Sequence, residues 1–439
     1  MTDREEAQSN TLIEWLLGAF TKVRPGEGNT ALLMALNIFF VLTCYYILKP
    51  AREAFMSLED QGAQLASYAS GFMAVLLIPT VYFYGKLTER FVRRRLIAVV
   101  NGFFIANLVL FYFLAENQTP WLGLIFFVWV GIFNNMVVAQ FWAYANDIYT
   151  PEQGKRLFPL IVVGQNVGAV LGTRVADATL EWTGSSSLMP PAAAVFLAVS
   201  IFLTFRIDSR QSAQSPLQRQ KETAEETLGA EGGFQLILKH RYLALIALLI
   251  LVLNLVNTTG EYILRNSVYA AAADAQVSRD VFAGSYYADF FLWVNILTMA
   301  IQAFLVSRIL KYIGVRGALF ILPAIAFIGY GAITVLPILA LITVIKMVEN
   351  STDYSLMNTL RAALYLPTSR EAKYKAKQAI DTFVVRTGDV ISALLVFVGF
   401  QVLGFATRGF SAIVFGIVII WIILALAIVR EHKKLLPEE

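Results

Sequence analysis

The sequence predicts an all-α polytopic membrane protein, with twelve transmembrane helices arranged as two six-helix halves. Three observations predict it: a scarcity of charge, a series of apolar windows of bilayer length, and a lopsided placement of Lys and Arg. Of 439 residues, 57% are hydrophobic and 15% charged, and the mean hydropathy is +0.63. Soluble domains average about 25% charged residues, so a chain this poor in charge cannot cover a water-facing surface. Lipid has to be the solvent for most of it.

A spanning helix needs about 20 largely apolar residues. Windows of that kind lie near 29–48, 66–85, 96–115, 120–147, 157–180 and 189–205, then near 242–264, 284–306, 316–333, 335–363, 376–404 and 409–429. The first residues do not read as a signal peptide, because Asp3, Glu5 and Glu6 stand where a basic region is expected. The stretch from Thr11 to Phe20 reads equally as an interfacial helix or as a frayed terminal one.

Assigned to sides, 27 of the 35 Lys and Arg fall in the two tails and in alternate connections, against five in the opposite connections; Arg174, Lys346 and Arg386 remain inside spans. Positive charge marks the cytoplasmic side. Both termini are therefore expected in the cytoplasm and the protein in a bacterial inner membrane.

Residues 207–239 are polar and rich in Gly, Ser, Gln and Glu, which reads as a linker. The expected organisation is an N-terminal segment 1–28, a six-helix half 29–206, the linker 207–239, and a second half with a short tail, 240–439. On either side of the linker the sequence repeats at an offset of 216: Tyr46-Ile-Leu-Lys49 matches Tyr262-Ile-Leu-Arg265, and Tyr149-Thr-Pro151 matches Tyr365-Leu-Pro367. Equivalent segments face the same side, so each half needs an even number of spans.

The connection after the second span, Gly85-Lys-Leu-Thr-Glu89-Arg90-Phe-Val-Arg93-Arg94, resembles the G-x-L-x-D-R-x-G-R-R loop of the major facilitator superfamily, with Glu89 for Asp and Val92 for Gly. A carboxylate and guanidinia so placed can latch neighbouring helix ends, which gives Glu89 and Arg90 a gating role. The resemblance implies the major facilitator fold, with substrate bound near the midplane.

An ionisable side chain facing lipid costs about 3 kcal/mol or more, so charges inside spans must face protein or a hydrated cavity. In the tenth span Lys346, Asn350, Asp353, Met357 and Arg361 fall on one helical stripe, with Glu349 at its margin. The seventh repeats the pattern with Asn254, Thr258, Glu261 and Arg265, beside Asn257. The eleventh carries Gln378, Asp381, Thr382, Arg386 and Asp389. Two readings of Lys346 stand, a substrate cation or a buried interhelical pair with Glu349 or Asn350. Glu261 with Arg265 likewise reads as an i,i+4 pair or as functional, and Arg386 with Asp389 as structural. Arg52 and Arg361, near span ends, suit an anion, since guanidinium forks match phosphate. Gly164, Gly168 and Gly172 recur every fourth residue and predict close helix contact in the fifth span.

Cys44 is the single cysteine, and His240 and His432 are the two histidines, so no metal centre is expected. No Ser/His/Asp or Cys/His set is available, which argues against an enzyme and a catalytic site. A net charge of +4 is too small to argue for nucleic acid. No cofactor is expected.

YYILKPAREAF, FWAYANDIYTPEQGKRLFPLIVVGQNVGAVLG, NLVNTTGEYILR and DYSLMNTLRAALYLPTSREAKYKAKQAIDTFVVRTGD together resemble the nucleotide transporters of the ATP/ADP translocase (TLC) family, over residues 30–430. The resemblance implies exchange of ATP for ADP or proton-coupled nucleotide import, with basic residues holding phosphates. By motif position Arg52 and Arg361 stand where the family often has Lys. The family's acid in the seventh span falls on Asn257, with Glu261 one turn away, and its fourth-span acid falls near Val130, in a stretch without Asp or Glu from 117 to 146.

The function expected is therefore secondary active transport of an anionic, phosphorylated substrate by a monomer in the bilayer. Arg52, Arg361 and Lys346, with Arg265, Lys49 and Asn257, form the candidate substrate site, and Glu261, Glu349 and Asp353 are the candidates for coupling or gating. Two alternatives are a carrier of an anionic lipid or cell-wall precursor and a transport-inactive scaffold or sensor.

Overall fold

A computed structural model describes residues 23–24, 26–91, 93–214, 232–369 and 371–435. Thr11 to Phe20 and most of the polar linker lie outside the described residues. The described residues form long helices joined by short connections. In chain order these are α1 (Gly28–Ser57), α2 (Gly62–Arg90), α3 (Arg93–Glu116), α4 (Leu122–Ile148), α5 (Pro151–Thr183) and α6 (Met189–Gln214). After the linker and a short helix, Gly233–Lys239, come α7 (Arg241–Ala273), α8 (Arg279–Tyr312), α9 (Gly314–Val335), α10 (339–364), α11 (Lys377–Val402) and α12 (Thr407–Leu435).

Among the described residues eleven of these are long and apolar enough to cross a bilayer. The exception is α10. At 1.5 Å per residue its length is roughly 40 Å, ample for a span, but Lys346, Glu349, Asp353 and Arg361 lie along it. The helix expected to be the tenth span departs from the rest because its four charges, Lys346 to Arg361, run through its middle and interrupt every bilayer-length stretch of it.

The helices fall into two compact units. One holds the described parts of 1–55, 79–224 and 287–292; the other holds those of 56–78, 225–286 and 293–439. In the first unit α3 packs on α6, and α5 lies flush against α1. A Cβ at Gly164 would stand 2.3 Å from the Ala35 carbonyl oxygen, at Gly168 2.3 Å from that of Phe39, and at Gly172 2.5 Å from that of Thr43. Only glycine permits that approach, so the expected role of the triplet holds. The Thr43 hydroxyl donates to the Gly168 carbonyl at 3.2 Å across the seam.

The same unit ties the start of α1 to the start of α5. Thr150 and Gln153 form a capping box, and Arg156 grips both oxygens of Glu27 at 2.9 and 3.0 Å. Burial raises the Glu27 carboxyl, but hydrogen bonds from Arg156, the Arg24 backbone N–H and Gln153 outweigh it and hold the group below its ordinary value.

In the second unit α7 is central, packing on α10, α11 and α12, while α9 packs on α10 and α12. Gly388 brings α11 against α7, where an added Cβ would meet Asn254 at 2.9 Å.

Candidate functional site

Each unit carries charged side chains inside its membrane-length helices, the candidates for a functional region. In the first, Pro50 and the two cations beside it occupy the last third of α1. Lys49 is buried, its ammonium 3.9 Å from the Phe291 ring centroid and 5.1 Å from that of Tyr46. Arg52 is bound by its sequence neighbour: its Nε and terminal nitrogen donate to Glu53 Oε1 at 3.1 and 2.6 Å, and its guanidinium lies 4.4 Å from the Phe127 centroid. Glu53 is fully buried and Arg52 keeps 16% of its side chain accessible. Periodicity overlooks Glu53, because adjacent residues diverge on a helix. A long Arg folding back over an aromatic ring overcomes that divergence.

Sequence reading also left Arg174 without a role and passed over Asp289, which sits in the apolar run ADFFLWVN. The structure brings them to 3.8 Å, each more than half exposed. At their depth in α5 and α8 such exposure is tolerable only towards water.

In the second unit Lys346 is enclosed. Its ammonium donates to Asn257 Oδ1 at 3.0 Å, meets Glu349 Oε2 at 3.1 Å and lies 3.7 Å from Glu261 Oε1. Tyr330 donates to Glu349 at 2.9 Å, and Asn350 donates to Glu261 at 2.9 Å. Gly260 makes room: a Cβ there would overlap the Tyr330 hydroxyl and stand 3.0 Å from the Lys346 ammonium. Asn257, Glu261, Lys346, Glu349 and Asn350 thus form one network between α7 and α10, while Arg265 is buried one turn beyond Glu261.

Arg361 pairs with Asp353 at 3.2 Å, not with the Met357 level one α-turn away. Eight residues make about 2.2 α-turns and would place the two roughly 80° apart. The wide turn Asp353–Met357 takes up the excess residue and returns Arg361 to the face of Asp353. Arg361 is a quarter exposed, and its Nε is buried without a partner among the described residues. Asp389 accepts from Asn254, Thr258 and Arg386 at 2.8, 2.9 and 3.0 Å, a satisfied junction of α7 and α11. The Glu89 side chain lies outside the described residues. Arg90 is exposed, and in the same connection Arg94 reaches Asp208 at 4.0 Å.

Among the described residues no group of His, Cys, Asp and Glu could hold a metal ion. What the spans carry is a set of cations, of which Lys49 lies against aromatic faces and Arg52, Arg174, Lys346, Arg361 and Arg386 each meet a carboxylate.

The sequence model of the Major Facilitator Superfamily matches residues 33–370. The chain belongs to that superfamily. It is also similar to ADP,ATP carrier protein 5 of Rickettsia felis, 23% identical over 86% of this chain and 88% of the carrier. With ADP,ATP carrier protein 1 of Chlamydia pneumoniae it shares 23% identity over 63% of this chain, spanning only 60% of that carrier's length. The fold is that of solved facilitator structures. The nucleoside transporter NupG superposes with a TM-score of 0.61 at 13% identity, over 91% of this chain and 98% of its own. A bacterial homologue of the lysosomal transporter Spinster does so with 0.64 at 13%, over 95% and 99%. The likeness first seen in YYILKPAREAF and FWAYAND is thus a likeness to the ADP,ATP carriers, and the chain is a multi-span helical membrane protein of a transporter family.

Proposed function

We propose that this facilitator carries an organic phosphate, a nucleotide foremost, across the bacterial inner membrane by alternating access. Twelve spans with both termini cytoplasmic are part of the reading, α10 being the tenth and joining the eleven apolar ones. The observation that carries it is the state of Arg52 and Arg361. Each is a membrane-level guanidinium, partly accessible and held by one carboxylate, at a position where the resemblance to the carriers puts phosphate-binding cations. Guanidinium donates two parallel hydrogen bonds to phosphate, so substrate can displace Glu53 and Asp353 without leaving the Arg unpaired.

Lys346 we assign to coupling instead of first contact, because its ammonium is already met by Asn257, Glu349 and Glu261. That network carries two carboxylates against one cation. An uncompensated buried charge is costly, and a proton taken up with substrate would balance it. The test is uptake into proteoliposomes of ATP, ADP, sugar phosphates and anionic lipids. Uptake of a nucleotide that Arg52→Ala and Arg361→Ala each lower at least tenfold supports the reading. Uptake of nothing phosphorylated contradicts it.

A further inference from the structure

A cleft of about 740 Å³ opens where α4 ends and α5 begins, lined by Asn146, Tyr149, Thr150, Lys155, Phe158 and, deeper along α5, Val162. Its size falls within the range of small-molecule sites, and it has their make-up, apolar walls with a few polar groups. Neither the charged stripes nor the phosphate-binding positions implied by the resemblance include it.

Two adjacent cations open α5, and the structure uses them differently. Arg156 is consumed by Glu27. Lys155 is exposed on the cleft wall, with no hydrogen bond or ion pair among the described residues. Asn146, on the facing wall, is likewise exposed and unengaged. Between them the Tyr149 and Phe158 rings pack edge to face with centroids 6.0 Å apart, and Trp142 backs Phe158 at 5.6 Å. The Tyr149 hydroxyl is buried with no partner among the described residues. The capping box and the Glu27 clamp hold the first turn of α5, so the cleft is preformed. A free ammonium and an amide at one level, with an aromatic wall below, match a ligand that has a phosphate at one end and a flat ring at the other.

We propose that this cleft is a second nucleotide site, a loading station at the α4–α5 junction that the proposed topology puts in the cytoplasm. Lys155 takes the phosphates, Asn146 a sugar or base edge, and Phe158 the face of the base. The inference rests on a nucleotide being the substrate, and it is tested by binding instead of transport so that the two fail separately.

The experiment is photolabelling of the purified full-length protein with 8-azido-ATP, followed by mapping of the labelled peptide. The expected result is label on 142–162, competed by ATP and by pyrophosphate. Lys155→Gln should lower that label about tenfold, the scale of one lost charge-assisted contact, with an unchanged melting temperature, while Lys155→Arg should keep most of it. Label on 142–162 indifferent to Lys155→Gln, or no label there, overturns the proposal. If Lys155-dependent label persists while no nucleotide is transported, the cleft stands and the transport reading falls.

Discussion

Helices α4 and α10 occupy equivalent places in the internal repeat, and they solve the same architectural task with opposite chemistry. Each is interrupted by one wide turn, Asn134–Val138 in α4 and Asp353–Met357 in α10, and each runs into a Tyr-x-Pro junction. At the repeat offset Asn134 corresponds to Asn350, but Val130, Phe133 and Val137 stand where Lys346, Glu349 and Asp353 do. In α4 the space is filled by rings: Trp129 stacks with Phe126 and Phe133 at 5.8 and 5.6 Å, and Phe104 and Phe111 meet it edge-on. In α10 it is filled by ion pairs. The shared geometry belongs to the fold, so the charge on α10 is not needed to build a helix there. In the proposed function that charge serves coupling and substrate contact.

Giving α10 the residues of α4 separates what the helix needs to form from what transport needs. The triple change Lys346→Val, Glu349→Phe, Asp353→Val should leave the helices in place by circular dichroism and abolish transport. Removing Lys346 alone, as Lys346→Met, is the harsher structural test. It strands Glu261 and Glu349 and should destabilise by about 3–5 kcal/mol, read as a fall in melting temperature that Glu349→Gln partly restores.

The glycine seam of α1 and α5 should be nearly as sensitive. Gly168→Val drives a side chain into the Phe39 backbone, which cannot yield as a side-chain tip would, and about 1–3 kcal/mol should be lost. Gly102→Val, with nothing within 4 Å of its Cβ position, should melt like the parent.

The Arg174–Asp289 pair, like Arg52–Glu53, places charge in the first unit away from α4. Both groups are more than half exposed, so their coupling is worth under about 1 kcal/mol. Arg174→Asp or Asp289→Arg should each slow transport, and the double exchange should recover part of the rate.

The smallest effect concerns pH. Because Glu27 ionises below its ordinary 4.5 in the folded protein, its contribution is complete above the unfolded value and is lost as the pH falls through the carboxylate range. Glu27→Gln should flatten the acid limb of a melting-temperature profile and leave the neutral region parallel to the parent.

Hydropathy alone disclosed the helices, and the fourfold spacing of Gly164, Gly168 and Gly172 disclosed how α5 meets α1. Residue spacing on α10 pointed to Lys346, Asn350, Asp353 and Arg361, which the structure divides between a network with α7 and a separate Asp353–Arg361 pair. That pairing was not legible, because the i,i+4 rule assumes an unbroken α-helix and the wide turn at Asp353 re-registers everything beyond it. Arg52 with Glu53 escaped for a different reason: side-chain length, which periodicity ignores, lets neighbours meet. Asp289 with Arg174 is a contact between residues 115 positions apart in sequence, and no local pattern encodes it.

The central claim is that partly accessible guanidinia held by single carboxylates are the phosphate contacts. It is tested most directly by counter-exchange, with proteoliposomes loaded with ADP and presented with labelled ATP, comparing the parent with Arg361→Ala and Arg361→Lys. The expected result is exchange by the parent, loss of at least tenfold in Arg361→Ala, and substantial retention in Arg361→Lys, which keeps the cation. Exchange by Arg361→Ala at the parent's rate would contradict it.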